Sequence, residues 1–152
     1  MSIVARLEKQ CLDPQRELAA LIEAAQGGGA VVSFVGLTRG QSAGGEVVDA
    51  LVLQAHPRLT LRSLEQIAEG AAERFQVSDV RVVHRCGKMC PGEPIVFAGA
   101  AAPHRRAAFE AADYLMDRLK TEAVFWKREI GAAGPRWIEP TDADFSERER
   151  WG

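Results

Sequence analysis

Cysteine is scarce in this chain: there are three in 152 residues, Cys11, Cys86 and Cys90, at no spacing that a disulfide framework uses. The fold has to stand without covalent staples, and free thiols suit a reducing compartment. Net charge is equally scarce, a formal −2 from 19 basic and 21 acidic residues. That excludes the global basic field on which nonspecific nucleic-acid binding rests, so an anionic ligand must be caught by a local cluster. Long apolar runs are missing too. Met1 to Leu12 alternates charge with apolar residues, unlike a signal peptide or a membrane span, and a cytoplasmic protein without membrane attachment is expected. The 14 glycines form no phosphate loop and no dinucleotide fingerprint, so no cofactor is expected.

What is present is ordinary globular material, 47% apolar and 26% charged, in a length of about one domain. A domain of this size buries roughly two thirds of the surface its unfolded chain exposes. Residues 1–140 read as that domain. Residues 141–152 are charged and aperiodic and read as a C-terminal tail, loose until something docks on it.

Asp13-Pro14 opens a helix, since Asp accepts from orphan amides and Pro at the first position gives up no needed donor. Leu18, Leu21, Ile22 and Ala25 share a face of it, and Gly27-Gly28-Gly29 ends it. Ala30 to Val35 reads as a buried strand, Gly36 to Gly45 as a polar loop, and Glu46 to Ala55 as a strand covered on both faces. After His56-Pro57, the spacing of Leu61, Leu64, Ala68, Ala71 and Phe75 predicts an amphipathic helix. Val80 to His84 and Ile95 to Ala101 are strands separated by a turn-rich stretch. Strand, helix and strand over 46–85 suggest one crossover unit, with the strand at 95 as an antiparallel neighbour. Pro103 precedes a second long helix, faced by Phe109, Ala112, Met116 and Leu119, and residues 125–139 read as two strands around a glycine-rich turn. The expected class is α+β: a mixed sheet, two long helices and a C-terminal β-hairpin.

Several residues could carry chemistry. Lys120 closes the second long helix and Lys127 follows in the next strand. On their own they read first as a cation at a helix C-terminus and a strand-surface charge. His104, Arg105 and Arg106 open that helix where free amides favour an anion, which makes either a phosphate site or a solvated basic turn. Arg39, in a loop straight after a strand, is a surface cation or an anion clamp on a rigid scaffold. His84, Cys86 and Cys90 lack the spacing and the fourth ligand of common zinc sites, so no metal is expected. Trp126 and Trp137, on the two arms of the hairpin, suit core or interface packing.

The order of segments says more than any one of them. Val31-Val32-Ser33-Phe34-Val35-Gly36-Leu37-Thr38-Arg39, His84-Arg85-Cys86-Gly87, Pro91-Gly92-Glu93, Pro103-His104-Arg105, Met116-Asp117-Arg118-Leu119-Lys120, Phe125-Trp126-Lys127-Arg128-Glu129 and Arg136-Trp137-Ile138-Glu139 follow one another as in the large, catalytic subunits of molybdopterin synthases, which the chain resembles over residues 3–140. The resemblance implies an α/β hammerhead core and a sulfurtransferase that builds a dithiolene on cyclic pyranopterin monophosphate. It implies a small ubiquitin-like partner carrying sulfur as a C-terminal thiocarboxylate, on a homodimer within a heterotetramer. It also implies catalytic roles for Lys120 and Lys127, and substrate contacts from Leu37, Thr38, Arg39, His104, Arg105, Arg128 and Glu129. The chain departs from the usual pattern at Gln54 and His56, where Glu and Tyr are common. Two readings compete: a noncatalytic scaffold for a ubiquitin-like sulfur carrier, and a sulfurtransferase that uses Cys86 or Cys90 as nucleophile.

Overall fold

The computed structural model describes residues 1–152 as two four-stranded sheets and four helices. In chain order the first half comprises β1 (Ser2–Glu8), α1 (Pro14–Ala24), β2 (Ala30–Leu37), β3 (Ala50–Ala55) and α2 (Leu59–Arg74). The second comprises β4 (Asp79–Arg85), β5 (Gly87–Met89), β6 (Pro94–Ala102), α3 (Arg105–Glu122), β7 (Phe125–Gly131), β8 (Gly134–Ile138) and α4 (Asp142–Glu149). One sheet has the order β1-β4-β6-β2, mixed because β1 and β4 run parallel; the other, β5-β3-β7-β8, is antiparallel throughout. The α+β class, the two long helices and the C-terminal hairpin stand as expected.

Alternation along the central strands decides which helices cover which face. Val80 and Val82 of β4, with Val96, Ala98, Ala100 and Ala102 of β6, pack under Leu64, Ile67, Ala68 and Ala71 of α2 and Ala108, Ala111 and Leu115 of α3. Val83, Phe97 and Ala101 point the other way, onto Leu21 of α1. The small residues of β6 let helices lie close: a Cβ at Gly99 would meet Leu21 Cδ2 at 2.7 Å. Asp13 caps α1 as its sequence predicts, accepting from the Arg16 amide.

Several expectations need correction. The strand at 46–55 starts no crossover to β4, because β3 belongs to the second sheet; the strand parallel to β4 is β1, with α1, β2, β3 and α2 between them in the chain. That strand begins at Ala50; Glu46–Asp49 is loop, held by an isolated bridge from Gln41 to Val47. The run read as a buried strand, β2, is an edge strand with Phe34, Val35 and Leu37 exposed. In α3 the buried stripe is Ala108, Ala111, Ala112, Leu115 and Leu119, which leaves Phe109 out in solvent. Residues 141–152 are not loose. Thr141 and Asp144 form a reciprocal capping box that starts α4, and α4 docks on α3. No helix is long and apolar enough to cross a membrane.

Candidate active site

The second sheet, the end of α3 and the loop after β2 bring basic side chains together. Lys120 stands exposed in the last turn of α3. The chain leaves that helix at Ala123 in extended conformation, and β7 begins two residues later, paired with β3 on one side and β8 on the other. Residue 127 lies opposite Leu53 and Ile138. Strand alternation puts Lys127 on the same face as Phe125, whose ring packs into the core, and Glu129.

Lys127 is half-buried, and its pKa falls below the ordinary lysine value. Burial is the chief cause, because desolvation disfavours the ammonium. Repulsion from Lys120 and from Arg39 adds to it, and Glu129 and Asp144 oppose it. These interactions show that Lys120, Lys127, Arg39 and Glu129 share one electrostatic neighbourhood within a single chain.

Arg39 is held there by a firm support. The Thr38 amide and hydroxyl both donate to the Glu93 carbonyl, at 2.8 and 2.9 Å, and Gly92 N–H donates back to the Thr38 carbonyl at 2.8 Å. Glu93 is itself fixed by the buried Arg85, 2.7 Å away, and by the Cys90 amide. Thr38 is thus an anchor whose hydroxyl is already committed, while Leu37 and Arg39 on either side are exposed.

His84 ends the Val80-Val82-His84 row of β4 and lies buried, its ring against that of Phe125 at 4.3 Å. Nδ1 is 2.9 Å from the Arg85 carbonyl, which can only accept, so Nδ1 carries the proton and Nε2 is the free acceptor. Its pKa falls to about 4, first by burial and then by repulsion from Lys120 and Lys127; the Arg85 hydrogen bond pulls the other way. The site therefore contains a neutral imidazole beside two lysines.

Other expected site residues lie elsewhere. His104 is the N-cap of α3, exposed like Arg105, and α3 rises about 1.5 Å per residue, so some 15 residues put Arg105 about 22 Å along the axis from Lys120. One chain does not gather these residues with the lysines. Arg128 points to the opposite face of β7 from Lys127 and stacks over Trp137, 5.5 Å from the ring centroid. Trp126 and Trp137 are both exposed, so neither packs in the core of the single chain. Beside the hairpin, Phe125, Trp126, Lys127, Trp137, Ile138 and Phe145 border a cleft of about 460 Å³. No group of three or more His, Cys, Asp or Glu side chains is placed to hold a metal ion.

Reading the sequence missed His84, weighed there only as a metal ligand, although its place at the end of an apolar alternating row marked it as inward-facing. It also missed the Arg85–Glu93 pair, whose members have no local pattern to join them.

Fold and site together define an α+β protein that concentrates fixed cations, one of them a partly desolvated lysine, where an anionic reactant can be held and its developing charge stabilised. The model of the MoaE protein family matches residues 7–122, and the chain belongs to that family. It is similar to the molybdopterin synthase catalytic subunit of Caulobacter vibrioides, 46% identical over 149 residues that cover 98% of this chain and 97% of the relative. The Pseudomonas aeruginosa protein of the same description is 44% identical, covering 96% and 97%. Among solved structures, the molybdopterin biosynthesis MoaE protein from Burkholderia ambifaria superposes with a TM-score of 0.83 at 37% identity, over 100% of this chain and 99% of the other. The molybdopterin synthase from Staphylococcus aureus gives a TM-score of 0.79 at 26% identity, covering 88% and 96%.

Proposed function

We propose that this chain is the catalytic subunit of a molybdopterin synthase, an enzyme of molybdenum cofactor biosynthesis working in the cytoplasm as a sulfurtransferase. Its substrate is cyclic pyranopterin monophosphate, and its sulfur donor is a small ubiquitin-like subunit ending in a thiocarboxylate. The observation that carries this reading is the half-buried Lys127 beside Lys120 and Arg39.

Both reactants are anions. Fixed ammonium and guanidinium groups offset their mutual repulsion and hold them within reacting distance. In each of two transfers the thiocarboxylate sulfur forms a C–S bond to a pterin side-chain carbon as a C–O bond at that carbon breaks, the oxygen leaving with the opened phosphate ester or, once protonated, as water. A further water then hydrolyses the acyl–sulfur bond, so that the sulfur stays on the pterin and the carrier leaves as a carboxylate. Charge accumulates on oxygen as the first bond forms, and a lysine already in place stabilises it by a few kcal/mol. Lys127 can also donate a proton, because its lowered pKa brings proton release nearer to neutral pH.

His104 and Arg105 fit this chemistry only if a second copy supplies them, given their distance along α3 from Lys120. We therefore assign the working unit as a homodimer, one small subunit serving each site. For Cys86 the cysteine mechanism finds little support, because burial pushes its thiol up, away from the thiolate. Purified chain, thiocarboxylated small subunit and cyclic pyranopterin monophosphate should yield dithiolene product. Lys120→Ala should yield none while still binding the small subunit, and Cys86→Ser with Cys90→Ser should turn over at near the normal rate. Binding without product from the native chain would leave only the scaffold reading.

A further inference from the structure

The segment between the two lysines is gripped at its midpoint. Thr60, fully buried in the first turn of α2, donates its hydroxyl proton to the Val124 carbonyl and accepts from the His56 amide at 2.7 Å. Ser63, one turn on and also buried, donates to the Thr60 carbonyl at 2.6 Å and accepts from the Val124 amide at 3.0 Å. Each hydroxyl has one proton, so these bonds fix its direction: each donates once and accepts once, and both backbone polar groups of Val124 are taken. The jaw itself is pinned, since His56 Nδ1 accepts from the amides of Arg58 and Leu59 at the start of α2.

Val124 lies four residues after Lys120 and three before Lys127, where helix gives way to strand. Neither element can set the span between the lysines alone, because the chain turns between them. We propose that Thr60 and Ser63 are positioning residues of the lysine site: by holding Val124 at both its N–H and its C=O, they fix the distance between Lys120 and Lys127. The catalytic consequence rests on the function proposed above; the geometric one does not.

A looser clamp lets Lys127 move from Lys120 and toward water, and both changes favour its ammonium. The test is therefore the pH dependence of Lys127 labelling by an amine-reactive reagent, read by peptide mass spectrometry on the chain alone. In Thr60→Val the labelling midpoint should rise by about half a pH unit. Turnover should fall about 100-fold, with KM for the pterin nearly unchanged. Ser63→Ala should move both in the same direction, and Thr60→Ser, which keeps the hydroxyl, should restore both. Should Thr60→Val fail to fold, Ser63→Ala and Thr60→Ser decide. A folded Thr60→Val or Ser63→Ala chain whose Lys127 midpoint stays at the wild-type value overturns the proposal, whatever its activity. Should the wild-type chain make no dithiolene, the function falls and the labelling result still judges the clamp.

Discussion

Lys127 illustrates how a working side chain can oppose the fold that holds it. Burial and the charges of Lys120 and Arg39 lower its pKa below the unfolded value of 10.5, so the protonated form is less favourable folded than unfolded. The penalty is fully present below the lowered pKa and is relieved as the pH rises from there toward 10.5. Lys127→Met should therefore melt a few degrees higher than the native chain at pH 7 and make no dithiolene; an unchanged or lower Tm would contradict the desolvated assignment. His84 acts in the same sense over a different window. Its pKa falls from 6.5 to about 4 on folding, so the unfolded chain binds the proton first and stability declines as the pH drops between those values. In urea titrations His84→Gln should escape that decline, and the gap should narrow by about 3 kcal/mol between pH 7 and pH 4. The groups that face His84 are the Arg85 carbonyl, the Phe125 ring and the two lysines. In the sequence the lysines were legible as residue types, through the resemblance alone. Their closeness was not, because the turn between them is held by Thr60 and Ser63, more than 60 residues before Val124 in the chain.

At the level of elements, local signals read well and long-range ones poorly. Asp13-Pro14 and the hairpin at 125–138, whose Gly134 takes a positive φ, are set by neighbours in sequence and were legible there. The sheet to which β3 belongs and the exposure of β2 are decided by partners far along the chain, so apolar content alone suggested buried strands for both. The last helix, α4, falls between these cases. Its capping box is local and could have been read, but its docking rests on tertiary contacts: Trp151 meets the rings of Phe75 and Tyr114 edge-on at 5.7 Å and donates to Asp117 at 2.6 Å. Arg150 reaches Asp113 and Asp117 from an exposed position. Aromatic contact and a charge-assisted bond outweigh exposed ion pairs. Trp151→Ala should thus lower unfolding stability by about 2 kcal/mol, and Arg150→Ala by clearly less, in chemical denaturation. Equal losses would mean that α4 is held chiefly by charge.

On the scale of the whole molecule, a net charge of −2 coexists with a local concentration of cations, and the fold achieves this by setting basic residues at the two ends of α3. The ends lie about 22 Å apart, so a site that needs both must draw them from two chains. In the two-fold dimer proposed above the same pair of surfaces would meet twice and make two equivalent sites, each with lysines from one copy and His104 and Arg105 from the other. This arrangement has a consequence that no single-chain site shares. A Lys120→Ala chain and a His104→Ala, Arg105→Ala chain should each be inactive as homodimers. When they are mixed and allowed to exchange, about half the dimers become hybrids, and each hybrid combines one doubly damaged site with one wholly native site. Dithiolene formation should return to about a quarter of the wild-type rate, rising over the time that subunit exchange takes. If the mixture stays dead while exchange is shown by mass spectrometry of differently labelled chains, both ends of α3 do not serve one shared site, and His104 and Arg105 belong to some other surface of the protein.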